Sequence, residues 1–224
     1  MEIDNPKPNF KANNTQIKDE DLFKAAENGD VSVFESLSDG QLLKALSLRN
    51  EDGRSLLHVA VSFAQTQVVK ILSAAEPSVS GVNSTDEEGW APLHSAASSG
   101  SVEIVEILLS RGADLNFYSL MVQSSTRRTR LFGCTPLHRA ASTGNSEVSE
   151  LLIEEGAEVD DVDKAGQTPL MNAVICGNRE AALLLIRHGA NVDVEDNEGY
   201  TVLGRASDDL RPALVDAAKA MLEE

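Results

Sequence analysis

The sequence predicts an all-α solenoid, in which short helical units of one kind stack along the chain. Two observations predict it. An apolar run followed by Gly-Ala recurs through the chain, as in 104–113. A second block, which begins with glycine and continues into a helix-forming stretch, recurs at a matching offset, at Gly53, Gly89, Gly133, Gly166 and Gly199. Units of this kind are too small to bury their apolar faces alone, so they must stack to form a core.

The repeated block carries a family signature. Its fullest copies read Gly-Trp-Ala-Pro-Leu-His-Ser-Ala-Ala at 89–97 and Gly-Cys-Thr-Pro-Leu-His-Arg-Ala-Ala at 133–141. The five glycines are separated by 36, 44, 33 and 33 residues. This pattern resembles the ankyrin repeat, which has a period of about 33 residues and a Thr-Pro-Leu-His-x-Ala signature. The resemblance implies helix-turn-helix units with β-hairpin tips, and a protein-binding groove lined by the tips and the first helices.

Each part of the unit has a physical reason. The Asp or Asn that opens a unit and the Gly three residues later favour a tight turn, because glycine accepts positive φ. Thr is a good N-cap for the first helix, and the Pro that follows lacks an N–H that would have no partner there. Left-handed glycines are predicted to end the first helix at Gly100, Gly144 and Gly177, and the second at Gly112, Gly156 and Gly189.

The repeats divide the chain into capping units and full repeats. Residues 1–17 are predicted to be a flexible tail, 18–49 an N-terminal capping repeat, and 50–85 and 86–116 two ankyrin repeats. An irregular insertion at 117–132 precedes two further repeats at 133–162 and 163–195. Residues 196–224 are predicted to be a degenerate repeat with a C-terminal capping helix, in which Ala213, Leu214, Ala217, Ala218 and Met221 face the core.

Residues 117–132 break the pattern. Sixteen residues separate Asn116 from Gly133, whereas five separate Asp160 from Gly166 at the next junction. The segment carries three Arg and no acidic residue, while the rest of the chain carries 16 basic and 36 acidic residues. Two interpretations stay open: an 11-residue insertion at a hairpin tip, or an unrelated stretch in place of a whole repeat. On either interpretation, we expect residues 117–132 to be the least ordered part of the interior of the chain.

Composition narrows the class of partner. The net charge of −17 disfavours binding to nucleic acid or to an anionic membrane, and it favours a basic protein partner. The chain shows neither a signal peptide nor an apolar run long enough to cross a bilayer, and its two cysteines give no disulfide framework. We therefore expect a monomer in the cytoplasm and nucleus.

The repeat accounts for the residues that might otherwise carry chemistry. Three histidines, His58, His94 and His138, share the signature position, where the side chain is predicted to hydrogen-bond to the adjacent turn. Cys134 and Cys176 are 42 residues apart, without a paired Cys-x-x-Cys, and no glycine-rich phosphate-binding motif is present. The sequence thus predicts no enzymatic activity, no cofactor and no metal site.

The repeat register indicates which side chains face the groove. Trp90, the only Trp, lies at a hairpin tip, where it serves either as an interface anchor or as a cover for the next hairpin. The tips of the first two repeats are acidic, so we expect an acidic N-terminal end of the groove. The register also points Cys134 into it. The predicted partner-binding residues are Glu51, Asp52, Arg54, Phe63, Glu87, Glu88, Trp90, Ser98, Ser99, Ser142, Thr143, Lys164, Gln167, Asn197, Glu198 and Tyr200.

A narrower resemblance concerns the second repeat. Residues 86–100, Asp-Glu-Glu-Gly-Trp-Ala-Pro-Leu-His-Ser-Ala-Ala-Ser-Ser-Gly, are similar to a repeat of the gankyrin-like family of proteasome-associated ankyrin proteins. Residues 50–58 and 199–206 look like its plant members, although that family has one unit more than we count here. The resemblance implies a chaperone of 26S proteasome assembly that holds the C-terminal domain of an AAA-ATPase subunit. The alternatives are a substrate adaptor, a regulator of a signalling enzyme, or an IκB-like regulator of a transcription factor.

Overall fold

The computed structural model describes residues 17–76, 78–119 and 133–222. Within these ranges the chain forms fourteen α-helices, and the all-α repeat solenoid predicted from the sequence is confirmed. The predicted flexible tail lies outside the described residues, except for Ile17, which is half-buried and packs against the core. The tip of the predicted insertion, residues 120–132, also lies outside them.

The helices form pairs that follow the repeats. The N-terminal cap holds α1 (Asp19–Asn28), α2 (Val31–Glu35) and α3 (Asp39–Leu46). The first repeat holds α4 (Leu56–Ser62), α5 (Thr66–Ala75) and α6 (Val79–Val82), and the second holds α7 (Pro92–Ser99) and α8 (Val102–Ser110). The later pairs are α9 (Pro136–Thr143) with α10 (Ser146–Glu154), α11 (Pro169–Ile175) with α12 (Arg179–Arg187), and α13 (Val202–Arg205) with α14 (Arg211–Leu222).

Two parallel rows of helices build the stack. The first helices pack side by side in the order α1, α4, α7, α9, α11 and α13, and the second helices follow in the order α5, α8, α10, α12 and α14. Apolar residues from both rows, such as Leu93, Leu108 and Leu152, are fully or almost fully buried between them. In α14 Leu214 is buried as predicted. The prediction for Met221 is wrong: it lies in the last turn and is 37% exposed, because no further unit follows α14 within the described residues.

The signature histidines join neighbouring repeats as well as their own turns. In His94, Nδ1 accepts a hydrogen bond from the backbone N of Ala91 at 3.2 Å, and Nε2 donates to the backbone O of Cys134 at 3.0 Å. His58 and His138 repeat this arrangement with the carbonyls of Trp90 and Gln167, each at 3.0 Å. The predicted bond to the adjacent turn is present, and the bond to the next hairpin adds a rigid link between units.

The residues that flank the insertion close a hairpin in the regular way. The backbone N of Ser119 donates to the O of Cys134 at 3.1 Å, and the N of Gly133 donates to the O of Ser119 at 3.2 Å. Asp86 makes the same pair of bonds with Trp90 and Gly89, each at 3.0 Å. Ser119 is therefore the turn-opening residue, and thirteen residues follow it where other hairpins have two, a net gain of eleven. The insertion begins after Ser119 rather than at residue 117, which favours the hairpin-tip interpretation.

Helices on both sides of the insertion pack directly on each other. The side chain of Asn145, after α9, donates to the carbonyls of Ala97 at 2.8 Å and Ser98 at 3.0 Å, both in α7. One repeat further on, Asn178 makes the equivalent bonds to the end of α9. The junction that contains the insertion thus carries the same pair of asparagine side-chain hydrogen bonds as the regular junction that follows it.

Candidate partner-binding groove

An open groove of about 410 Å³ lies where the hairpin tips of the first two repeats meet the first helices α7 and α9. It contains six of the predicted partner-binding residues, namely Asp52, Arg54, Glu87, Glu88, Trp90 and Ser98. It also contains four residues that were not among the predicted partner-binding residues, namely Asp86, His94, Ser95 and Arg139. We refer to the exposed carboxylates of Asp52, Glu87 and Glu88 as the rim, and to the residues contributed by α7 and α9 as the floor.

A half-buried carboxylate fixes the shape of the rim. Asp86 accepts hydrogen bonds from the backbone N of Glu88 at 3.0 Å and of Trp90 at 2.9 Å. Burial raises the pKa of this carboxyl group, while those hydrogen bonds act in the opposite direction. The backbone N of Glu87 donates to the O of Asp52 at 3.0 Å, which joins neighbouring tips. The rim side chains are therefore carried on a rigid backbone.

Trp90 links the rim to the floor. Its ring is half-buried and meets the His94 ring edge-on, with centroids 5.1 Å apart and an interplanar angle of 71°. The guanidinium carbon of Arg139, in α9, lies 5.1 Å from the Trp90 centroid, within the range of a cation–π interaction. Trp90 therefore contacts its own helix and the next first helix, and part of its surface stays open to the groove.

Two arginines lie in the groove in different environments. Arg54 donates from its NH2 group to the hydroxyl of Ser62, and its Nε lies 4.0 Å from Oδ2 of Asp86. The Nε of Arg139 donates to the hydroxyl of Ser98 at 2.9 Å. Burial lowers the pKa of Arg139. The sequence held only a partial signal for Arg139, because the equivalent positions hold uncharged Val59, Ser95 and Asn172 in the other full repeats but a second arginine, Arg205, in the last unit.

The remaining predicted residues extend the surface away from the groove. Phe63 and Tyr200 are each 49% exposed, and Tyr200 stacks beneath Arg205 with a ring-to-carbon distance of 4.3 Å. Arg205 also pairs with Glu198 at 2.8 Å, so the C-terminal tip is a separate charged cluster. Exposed side chains at the other positions are Glu51, Ser99, Thr143, Lys164 and Asn197, and half-buried ones are Ser142 and Gln167.

The prediction that Cys134 faces the groove is wrong. The register pointed it into the groove, but its side chain is fully buried, and its sulfur lies 3.9 Å from Oδ2 of Asp163. Burial raises the pKa of this thiol to about 12, so it stays protonated at neutral pH. The position is the one that Arg54 fills in the first repeat and Trp90 in the second, and both of these longer side chains line the groove. Cys176 is exposed.

In the part of the chain that the structure describes, no group of three or more His, Cys, Asp and Glu side chains is arranged to hold a metal ion. None of the described helices is both long and apolar enough to cross a membrane.

Comparison with known families defines the class of protein. The family model for ankyrin repeats matches residues 22–119, 117–196 and 152–222. The chain therefore belongs to the ankyrin-repeat family, whose repeats form surfaces for protein–protein interaction.

Individual relatives are similar over part of the chain. The 26S proteasome non-ATPase regulatory subunit 10 of Dictyostelium discoideum is 34% identical over 97 residues, 43% of this chain and 40% of the relative. The probable 26S proteasome regulatory subunit p28 of Saccharomyces cerevisiae is 35% identical over 63 residues, 28% of each chain. The RelA-associated inhibitor of Mus musculus is 37% identical over 95 residues, 41% of this chain and 11% of the relative. The chain thus spans less than half the length of each, and the resemblance to gankyrin-like proteins is supported at the level of the family.

Proposed function

We propose that the protein is a non-enzymatic scaffold that assists assembly of the 26S proteasome regulatory particle. In this proposal the groove holds the C-terminal domain of one AAA-ATPase subunit. The observation that carries it is the similarity to regulatory subunits of the 26S proteasome from two organisms, at 34% and 35% identity. The protein works as a monomer, without a cofactor, in the cytoplasm and nucleus.

The rim supports a basic partner surface. Asp52, Glu87 and Glu88 are exposed and form no ion pair with another described residue. Unpaired carboxylates on a chain of net charge −17 attract a positively charged surface over about one Debye length, roughly 8 Å at physiological salt. Electrostatic attraction of this kind acts mainly on the rate of association.

The first experiment identifies the partner. Tagged full-length protein is expressed in cells, purified at low salt, and the bound proteins are quantified by mass spectrometry. We expect the proteasomal ATPase subunits to be enriched, with one subunit in stoichiometric amount and the others below it. Equal recovery of all subunits together with the 20S core would indicate attachment to finished proteasomes and would contradict an assembly role.

The second experiment tests the groove with the purified C-terminal domain of that subunit. We compare a double variant of the rim, Glu87→Gln with Glu88→Gln, with a matched double variant on α10 and its C-cap, Glu154→Gln with Glu155→Gln. Each variant removes two negative charges, so the two change the net charge equally. All four side chains are exposed, so neither variant disturbs the core. Stopped-flow association should slow by about three- to tenfold for the rim variant alone, with a weaker salt dependence. Equal rates for the two variants would place the interface elsewhere.

A regulator of transcription factors is the second candidate, because the RelA-associated inhibitor is 37% identical over 95 residues. In this case the groove holds a basic segment of a transcription factor. The purification described above separates the two proposals. Recovery of a Rel-type factor without proteasomal ATPases would support the second proposal and overturn the first.

A further inference from the structure

Arg139 is a cation in the floor of the groove that has no carboxylate partner among the described residues. Its side chain is partly buried, and none of the described Asp or Glu side chains forms an ion pair with it. Arg54 and Arg205, the other arginines with aromatic or groove contacts, both have a carboxylate within 4.0 Å. Arg139 differs from these two arginines in having no carboxylate partner among the described residues.

The side chain is held in place before any partner arrives. Nε is bonded to Ser98 at 2.9 Å, and the planar group lies over Trp90. These contacts use one donor and one face, and the terminal NH1 and NH2 groups make no hydrogen bond within the described residues. A guanidinium presents its terminal donors as a fork that matches a carboxylate in a bidentate manner. Because the fork is already ordered, a carboxylate that binds it costs little side-chain entropy.

The floor and the rim present opposite hydrogen-bonding groups. Arg139 presents its terminal donors to the groove, whereas Asp52, Glu87 and Glu88 present carboxylate acceptors. Asn172, at the equivalent position of the next repeat, is 5% exposed and does not line the groove, so it adds no accessible donor to the floor. A partner that matches both surfaces therefore carries an acceptor opposite Arg139 and donors opposite the rim.

We propose that Arg139 is a specificity-determining residue that binds an Asp or Glu side chain of the protein partner. The acidic residue enters the floor between basic residues that meet the rim. The alternation of charge sets the register of the partner in the groove, since a uniformly basic segment leaves the guanidinium unpaired and is repelled by it. This inference rests on the proposal that the groove is the interface.

A random-peptide selection tests the inference without a known partner. Dodecapeptides displayed on phage are selected on the full-length wild-type protein, and synthetic copies of the selected peptides are titrated by fluorescence anisotropy. The variants are Arg139→Gln, Arg139→Lys and the rim double variant, with Arg179→Gln as the control. Arg179 is exposed at the start of α12, so its substitution changes the net charge by the same amount outside the groove. Circular dichroism and urea midpoints check that each variant is folded.

The expected results separate the two proposals. Selected peptides should share one acidic residue among basic ones, and Arg139→Gln should weaken their binding about ten- to a hundredfold, with partial recovery for Arg139→Lys. Changing the acidic residue of the peptide to its amide should cause a similar loss on the wild type and little loss on Arg139→Gln. Binding that depends on the rim but not on Arg139 would overturn this inference and leave the groove as the interface. Peptide binding that depends on neither the rim nor Arg139 would overturn both this inference and the proposal that the groove is the interface.

Discussion

The histidine links between repeats predict that acid weakens the stack well above the range in which carboxylates titrate. In His94 the hydrogen bond from the N of Ala91 requires Nδ1 to be an acceptor, so the single ring proton lies on Nε2 and is donated to the O of Cys134. A second proton on Nδ1 would face the N–H of Ala91 and break that bond. Burial also disfavours the charged ring. It lowers the pKa values of His58 and His94 from 6.5 to about 4, and it lowers the pKa of His138 as well.

The size of the effect follows from the difference between the folded and unfolded pKa values. The unfolded chain takes up a proton on each imidazole near pH 6.5, whereas the folded chain does so near pH 4, so stability is complete above pH 6.5 and falls between these values. Each of the two side chains should cost about 2 kcal/mol at pH 5. Together they should lower the free energy of unfolding by about 4 kcal/mol between pH 7.5 and pH 5.0, and His138 adds to the loss.

Urea unfolding followed by circular dichroism at a series of pH values measures this loss. The variant His94→Gln separates the imidazole from carboxylates that titrate nearby. It should be less stable than wild type at pH 7.5, since it loses the ring, but its loss between pH 7.5 and pH 5.0 should be smaller by about 2 kcal/mol. His188→Gln, on the exposed surface, serves as the control. A wild-type loss below about 1 kcal/mol over this range would refute the protonation argument.

Two further predictions concern packing and cooperativity. Leu108→Ala should lower the free energy of unfolding, measured by urea titration, by about 2–5 kcal/mol, because Leu108 is fully buried. The control Leu43→Ala should cost below about 1 kcal/mol, because the Leu43 side chain is 50% exposed. Equal losses for the two variants would contradict the packing of α8. Because repeats on both sides of the insertion are bonded, fluorescence of Trp90, in the N-terminal half, and circular dichroism of the whole chain should give one urea midpoint. Asn145→Ala removes two inter-repeat hydrogen bonds, so it should lower this midpoint and reduce the free energy of unfolding by about 1–3 kcal/mol. Separate midpoints in the wild type would show that the insertion uncouples the two halves.

The repeat framework could be predicted from the sequence because its residues act locally. A turn that needs positive φ selects Gly, as at Gly89 with φ of 82°, and the same choice recurs in every unit. The start of the third repeat could not be predicted in this way. Ser119 replaces the usual Asp, and thirteen residues separate it from Gly133, so the local pattern that marks a turn is absent from the sequence. Only the two backbone bonds that close the hairpin reveal the register.

The groove was predicted less completely than the framework, because its chemistry depends on contacts between repeats. Trp90 and Cys134 occupy equivalent positions, yet the Trp ring reaches α9 while the Cys side chain is buried beside Asp163. Arg139 lies 49 residues after Trp90, and no local pattern relates the two.

The difference between framework residues and groove residues explains why similarity to relatives indicates the fold more directly than it indicates the partner. The proteasome regulatory subunits and the RelA-associated inhibitor match this chain at similar identities, 34–37%, as expected if the similarity reflects the framework that every ankyrin stack needs. Binding specificity has to come from positions that the framework leaves free. In this chain those positions set an acidic rim of Asp52, Glu87 and Glu88 over a floor that contains the cation Arg139. If the groove is the interface, as proposed above, recognition depends on how the charges of a partner alternate as well as on its net charge.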